Sequence, residues 1–289
     1  MRRTMLYLPG NNPNMLTRGH LFGSDGLVLD LEDAVAMVEK DTARILVSHY
    51  LKQGEFGNCY VSVRISGVDT EFWKDDLAAI VPMKRLDGIR VPKVEDAGTV
   101  KMIDEELSRL EEKNGLPVGK LTLHCLLETA HGIWNAYDIA KASPRIEAII
   151  PGGEDLRADL KTTRSNDSIE LEWARRMLVF AARAAGVEPL DTVFSRITDD
   201  EGLRKETEFI KQLGFSGKSI IHPNQIGIIH DVFTPTDKEI AQAQKIIAAA
   251  KDAAEHGQGA VTVDGKMVDI PVVKRAEYVL VRAGITEVK

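Results

Sequence analysis

Short apolar runs recur along the chain at roughly regular intervals, and most of them end on a charged or polar residue. They span Thr4 to Pro9, Gly26 to Asp30, Tyr60 to Arg64, Gly88 to Lys93, Leu121 to Glu128, Ile146 to Asp155, Leu190 to Ser195 and Gly217 to His222. Between them lie segments with the three/four spacing of a helix that buries one face. Val38 to Gln53 places Ala43, Leu46, Val47, Tyr50 and Leu51 on that face, and Ile169 to Ala185 does the same with Leu171, Ala174, Met177, Leu178 and Ala181 before Gly186 stops it. Asp199 to Leu213 is a third such helix, and Pro235-Thr236-Asp237 opens a long Ala-rich one that runs to about His256-Gly257. Eight strands alternating with helices is the count that closes a parallel (β/α)8 TIM barrel, whose active site lies at the C-terminal ends of the strands. The barrel is expected over residues 1–256. Residues 257–289 read as a glycine hinge, a hairpin turning at Asp264-Gly265 and a terminal helix, a C-terminal lid outside the barrel.

The strand endings supply the candidate chemistry. Glu128 and Asp155 close the fifth and sixth runs, so two carboxylates are expected to meet at the rim. Mg2+ is commonly held by one or two carboxylates, with water and an oxygen-rich substrate completing its shell. The alternative is that both acids only favour nearby helix N-termini. Arg64 ends the third run, where it either grips a substrate carboxylate in bidentate fashion or pairs with Asp30, Glu32 or Asp33. That acidic group is read as support for Arg64 or for metal-bound water, with Asp33 also able to cap a helix. Lys93 could form a Schiff base or bind an anion. Gly152-Gly153 lets backbone approach a ligand closely, and Gly153 and Glu154 are candidate substrate contacts. His222 reads as a strand-end hydrogen-bonding residue, with acid/base chemistry as the alternative. Arg2, Arg3, Lys161 and Arg164 are candidate contacts to a phosphate or an acidic partner.

Composition narrows the class. The 289 residues suffice for one barrel of about 250 plus an appendage. Hydrophobic residues make up 44% and charged ones 28%, as in an ordinary globular enzyme. A net charge of -7 argues against a nucleic-acid partner. The first apolar stretch breaks at Pro9-Gly10, too early for a signal peptide, and no run has the length of a membrane span, so a cytoplasmic protein is expected. Cys59 and Cys125 lie in apolar runs without the spacing of a zinc or disulfide site, and read as buried thiols.

Several segments carry a resemblance beyond what spacing implies. Arg3-Thr-Met-Leu-Tyr-Leu-Pro-Gly-Asn11, Asp30-Leu-Glu-Asp-Ala-Val35, Val63-Arg-Ile-Ser-Gly67, Arg90-Val-Pro-Lys93, Glu128-Thr-Ala-His-Gly132, Gly153-Glu-Asp-Leu156, Lys161-Thr-Thr-Arg164, Lys211-Gln-Leu-Gly-Phe-Ser-Gly-Lys218 and Gly265-Lys-Met-Val-Asp-Ile-Pro271 resemble, in the same order, the citrate lyase β subunits of the citrate lyase/malyl-CoA lyase superfamily. The resemblance implies a barrel that cleaves citryl-CoA, or a citryl group on an acyl carrier protein, to oxaloacetate and an acetyl thioester. It implies Mg2+ on Glu128 and Asp155, a substrate-carboxylate role for Arg64, and an acid/base at Asp269, supplied from the lid and across a subunit interface in related CoA lyases. The implied partners are the citrate lyase α and γ (carrier) subunits and further copies of the chain. A citramalyl-CoA or malyl-CoA lyase, or a non-catalytic scaffold, is the alternative.

Overall fold

The computed structural model describes residues 2–257 and 259–285, and the chain forms two compact units, Arg2–His230 and the segment from Asp231 onward. In the first unit the apolar runs become β1 (Thr4–Pro9), β2 (Gly26–Asp30), β3 (Tyr60–Arg64), β4 (Gly88–Val91), β5 (Thr122–Leu127), β6 (Ile146–Pro151), β7 (Glu188–Asp191) and β8 (Gly217–Ile220). Each pairs in parallel with the next, and β8 returns to β1 with Thr4 opposite Lys218 and Leu6 opposite Ile220. The sheet is therefore a closed barrel, as the alternation predicts.

Inward positions follow the two-residue period. Met5, Val28, Leu126, Ala148, Ile150 and Leu190 form one cluster with Tyr7 and Tyr60, the layered filling of a small barrel. The alternate residues, among them Leu6, Leu27, Val61 and Ile89, are equally buried. Both faces of the strands are covered, which is why the runs read as continuously apolar. Helix Ala97–Lys113 is capped by Asp96, which accepts from Thr99 N at 2.8 Å, and helix Asp200–Leu213 by Asp199, which accepts from Gly202 N at 2.8 Å. Gly186 and Gly214 end their helices at φ of 79° and 107°, conformations that glycine adopts without steric cost.

Two strand ends differ from the sequence reading. The run Ile146 to Asp155 breaks at Pro151, and helix Gly153–Asp159 starts almost at once, so Glu154 and Asp155 lie in its first turn. The last barrel run ends at Ile220, leaving His222 beyond β8, where its Nδ1 accepts from Asn224 N at 3.3 Å.

Outside β7 and β8, helices Glu172–Ala185 and Asp200–Leu213 bring in Arg175 and Glu206. Arg175 grips both oxygens of Asp191 at 2.9 Å, and Lys218 Nζ reaches Asp191 at 2.6 Å and Glu206 at 2.7 Å. Arg175, Asp191 and Lys218 have no exposed surface.

The second unit contains helix Asp237–Glu255, opened by a capping box between Thr236 and Glu239, a hairpin of β9 (Val261–Val263) and β10 (Lys266–Val268), and helix Ile270–Arg282. Asp264 and Gly265 turn the hairpin at φ of 49° and 75°, as the Asp-Gly pair predicts. Ala243, Ala276 and Leu280 form a core with Ile240, Ile246, Ile247 and Val279. That packing assigns the long helix to the C-terminal unit, and the division falls between His230 and Asp231 instead of after residue 256. Among the described residues no helix is long and apolar enough to cross a membrane.

Candidate active site

A cavity of about 420 Å3 opens at the C-terminal ends of the strands, lined by Asp30, Asp33, Arg64, Glu128, Gly153 and Asp155 among others. The register brings the first of these together: Asp30 pairs with Arg64 across β2 and β3.

Arg64 is almost fully buried, and its fork is already closed on an acid. Nε and Nη2 donate to the two oxygens of Asp30 at 2.7 and 2.6 Å, while Nη1 donates to Asp33 at 3.1 Å and lies 2.6 Å from Glu32. The pairing with Asp30, Glu32 and Asp33 expected as one reading of Arg64 is thus present, and the same residue also lines the cavity. Asp30 also accepts from Glu32 N at 2.9 Å and Ala34 N at 3.2 Å, which fixes the loop that carries Glu32 and Asp33. Asp33 thus serves Arg64, and the helix Lys40–Gln53 has Glu39 at its N-cap.

Glu32 and Asp33 behave as one unit. Burial, with the adjoining Asp33 and Glu128 charges, raises the Glu32 carboxyl against the pull of Arg64, whereas Asp33, despite its own burial, is held low by Glu32, Arg64 and Lys93.

Glu128 is only 4% exposed. Its carboxylate lies over Gly152, where any Cβ would collide with it, so that glycine is required by close approach. Lys93 N donates to Glu128 Oε2 at 2.8 Å, and Lys93 adopts φ of 51° to present that N–H. Burial, reinforced by the charges of Asp155 and Asp33 and opposed by Lys93 N–H and Arg64, pushes Glu128 up to about 7. A divalent cation beside it would remove that penalty. Asp155 is exposed and lines the same cavity. No group of three or more His, Cys, Asp or Glu among the described residues forms a closed metal cage. Two carboxylates with open positions between them fit a hard, water-rich cation.

The remaining candidates separate. The Lys93 ammonium lies 3.6 Å from Glu32, and although burial acts against its charge, Glu32, Asp33, Asp69 and Asp155 outweigh it and raise its pKa. That direction favours the anion-binding reading of Lys93 over the Schiff-base one. Glu154 points to Arg157 at 2.8 Å and to Arg164, which also donates to Ser195. Lys161 follows the same helix at φ of 55°. Arg2 and Arg3 stand at the start of β1, the barrel's other end: Arg2 pairs with Glu147 at 2.9 Å and Arg3 with Asp25 at 2.7 Å. Arg3 as a contact to a ligand in this cavity is thereby corrected, because its chain position is at the N-terminal mouth. Asp269 is the N-cap of helix Ile270–Arg282 and accepts from Val272 N at 3.3 Å. Cys59 and Cys125 are buried thiols.

Tyr7, Thr192 and Ser219 also line the cavity and were not singled out from the sequence. Thr192 Oγ1 accepts from Gly153 N at 3.0 Å, anchoring the turn that carries Asp155. Their signal was parity: Tyr7 and Ser219 occupy inward positions of apolar runs, the places where a hydroxyl is least expected.

Comparison with known proteins agrees with this geometry. Residues 3–223 match the family model described as HpcH/HpaI aldolase/citrate lyase, and residues 170–288 match a C-C bond lyase of the TIM-barrel fold. The citrate lyase subunit beta of Leuconostoc mesenteroides subsp. cremoris is 45% identical, over 97% of this chain and 92% of its own length. That of Haemophilus influenzae is 43% identical over 99% of both. Among solved structures, the protein CitE from Mycobacterium tuberculosis in complex with magnesium, acetoacetate and coenzyme A superposes with a TM-score of 0.79 at 30% identity, covering 98% of each chain. A citrate lyase beta subunit from M. tuberculosis, complexed with oxaloacetate and magnesium, gives a TM-score of 0.68 at 28% identity, covering 80% of this chain and 96% of that one. With a family model spanning most of the barrel and relatives above 40% identity over nearly its whole length, this chain belongs to the HpcH/HpaI aldolase/citrate lyase family.

Proposed function

We propose that the protein is a magnesium-dependent carbon-carbon lyase that converts a citryl thioester to oxaloacetate and an acetyl thioester. The observation that carries this reading is the buried Glu128 carboxylate, held over Gly152 by Lys93 N–H, in one cavity with Asp155 and Arg64. The magnesium and oxaloacetate of the M. tuberculosis relative support it.

Glu128 and Asp155 would hold Mg2+, which when bound supplies Lewis-acid stabilisation to the oxygen of the departing oxo acid. Arg64 orients a substrate carboxylate, and Gly153 and Glu154, in the same cavity lining, contact the substrate. Cleavage begins with transfer of the tertiary hydroxyl proton to the Asp269 carboxylate. The carbon-carbon bond then breaks, its electron pair passes to the α carbon of the thioester as an enolate, and the hydroxyl carbon becomes the ketone of oxaloacetate. Asp269 carries the proton that converts the enolate to the acetyl group. Asn caps a helix as well as Asp does, so Asp269→Asn separates the two roles of this residue: deuterium exchange into the acetyl thioester falls with an unchanged melting temperature if Asp269 is the acid.

Lys93, Lys161 and Arg164 are assigned to the phosphates of the thioester arm. The partners fitting this reading are an acyl carrier (γ) subunit, an α subunit and further copies of the chain, in the cytoplasm. Turnover of citryl-, citramalyl- and malyl-CoA with Mg2+, with and without carrier protein, tests the assignment. The expected result is preference for the citryl thioester; equal or greater turnover of malyl-CoA overturns it.

A further inference from the structure

Two arginines flank the ring of Tyr7, and their circumstances are opposite. Arg64 lies 5.1 Å from the ring centroid and is surrounded by Asp30, Asp33 and Glu32. Arg90 lies 5.2 Å from the same centroid, has no exposed surface, and has no carboxylate partner among the described residues. Among the described residues its side-chain hydrogen bonds run from Nη1 to Tyr7 Oη at 3.0 Å and to Ser219 Oγ at 3.1 Å, and Nε and Nη2 have no partner there. Burying an unpaired guanidinium in a barrel core is costly, and hydrophobic filling of that layer would be the stable solution.

The direction of the two hydrogen bonds gives the arginine a use. A guanidinium can only donate, so Tyr7 and Ser219 each accept from it and keep their own O–H to donate elsewhere. Neither hydroxyl donates to a described residue. Both residues line the cavity that holds Glu128, Asp155 and Arg64. An uncompensated positive charge behind two outward donors is a floor suited to an anionic oxygen, with the charge at a distance and the hydroxyls in contact.

We propose that Tyr7 and Ser219, with Arg90 positioned behind them, form a carboxylate subsite in the cavity floor that reads the second carboxylate of a dicarboxylic 2-oxo acid. This rests on the lyase reading and adds to it a determinant of substrate class: the subsite distinguishes an oxo acid with two carboxylates from one with a single carboxylate. Tyr7 and Ser219 bind; Arg90 acts through them as a positioning residue.

Calorimetric titration of the full chain in saturating Mg2+, with oxaloacetate and with pyruvate, reads the subsite without turnover. Tyr7→Phe keeps the ring between the arginines, and Ser219→Ala removes one hydroxyl; each is expected to weaken oxaloacetate about tenfold while changing pyruvate by less than about twofold. Arg90→Met is expected to abolish the preference, and Arg90→Lys, which keeps the charge and the donors but not the fixed plane of the guanidinium that sets Nη1 between the two hydroxyls, to restore part of it. Because Arg90→Met removes a core residue, the Tyr7 and Ser219 variants decide if it does not fold. An oxaloacetate-to-pyruvate ratio that stays within about twofold in both hydroxyl variants overturns the subsite and leaves the lyase reading standing. Wild-type protein that binds neither acid overturns both.

Discussion

The wall outside β7 and β8 and the rim above β2, β3 and β5 both bury charge, yet they are composed differently. In the wall, Arg175 and Lys218 face Asp191 and Glu206, two cations against two anions, and the hydrogen bonds among them are mutual. At the rim, the five carboxylates of Asp30, Glu32, Asp33, Glu128 and Asp155 outnumber the cations beside them among the described residues, Arg64, Lys93 and the buried Lys40. The pKa directions record the difference. Burial opposes the Glu206 charge, but Lys218 and Arg175 outweigh it and hold that carboxyl low. Burial likewise opposes the charge of Glu128, and there the neighbouring acids add to it. A balanced cluster is complete within the fold, whereas an acid-rich one is completed from outside it.

The largest expected effect is in the wall. Asp191→Ala leaves two buried cations facing one acid and is expected to destabilise the fold by about 3–5 kcal/mol, read from urea unfolding. An unchanged midpoint would mean the wall is not a closed network. The rim should respond the other way. Glu128→Gln keeps the acceptor for Lys93 N–H and removes a strained charge, so the melting temperature is expected to hold or rise while turnover drops by about 10²–10³. A fall in stability similar to that of Asp191→Ala would erase the distinction.

The barrel interior offers an intermediate case. His124 is fully buried, stacked on Tyr60 at 5.2 Å, and its pKa is lowered to about 4 by burial and by Arg90 and Arg2 against the pull of Glu147. Glu147 is 3.6 Å away, too far for a hydrogen bond that would favour the imidazolium. The unfolded chain takes up this proton near pH 6.5 and the folded chain only near pH 4. The stability it contributes is therefore complete above pH 6.5 and lost progressively as pH falls to 4, by about 3 kcal/mol. Melting temperature against pH should show a shallower acid slope in His124→Gln than in wild type; parallel slopes would place the acid sensitivity elsewhere. The smallest effect belongs to Lys93→Gly. The left-handed backbone suits glycine, the N–H to Glu128 is kept, and stability is expected to change by less than about 1 kcal/mol while Mg2+ affinity stays near that of wild type. A large loss of metal affinity would shift weight from the Lys93 backbone to its ammonium.

Much of this was legible along the chain because barrel strands are short, apolar and buried on both faces, so a charged residue at the end of a run stands out. Asp30, Arg64 and Glu128 were found that way. Other features depend on partners far apart in sequence. The closure of Arg64 on Asp30 depends on the β2–β3 register, and the φ of Lys93 on the position of Glu128 across β4 and β5. Asp155 looked like a strand end because Ile149-Ile-Pro continues the apolar pattern up to the glycines that begin the next helix. Arg2 and Arg3 read as candidate phosphate contacts because an acidic chain needs local positive charge to hold an anion, but they precede β1, whose C-terminal end is the one that lines the cavity. Arg90 sat in the middle of a run, where its charge could be noticed but not its lack of an acid partner.

The acid-rich rim is expected to take up a divalent cation through Glu128 and Asp155. Calorimetric titration of Mg2+ into the wild-type chain and into Glu128→Gln and Asp155→Asn, all verified as folded, measures this directly. The expected result is saturable binding in the wild type that is weakened at least about tenfold in each variant. Equal Mg2+ affinity in all three proteins would contradict it.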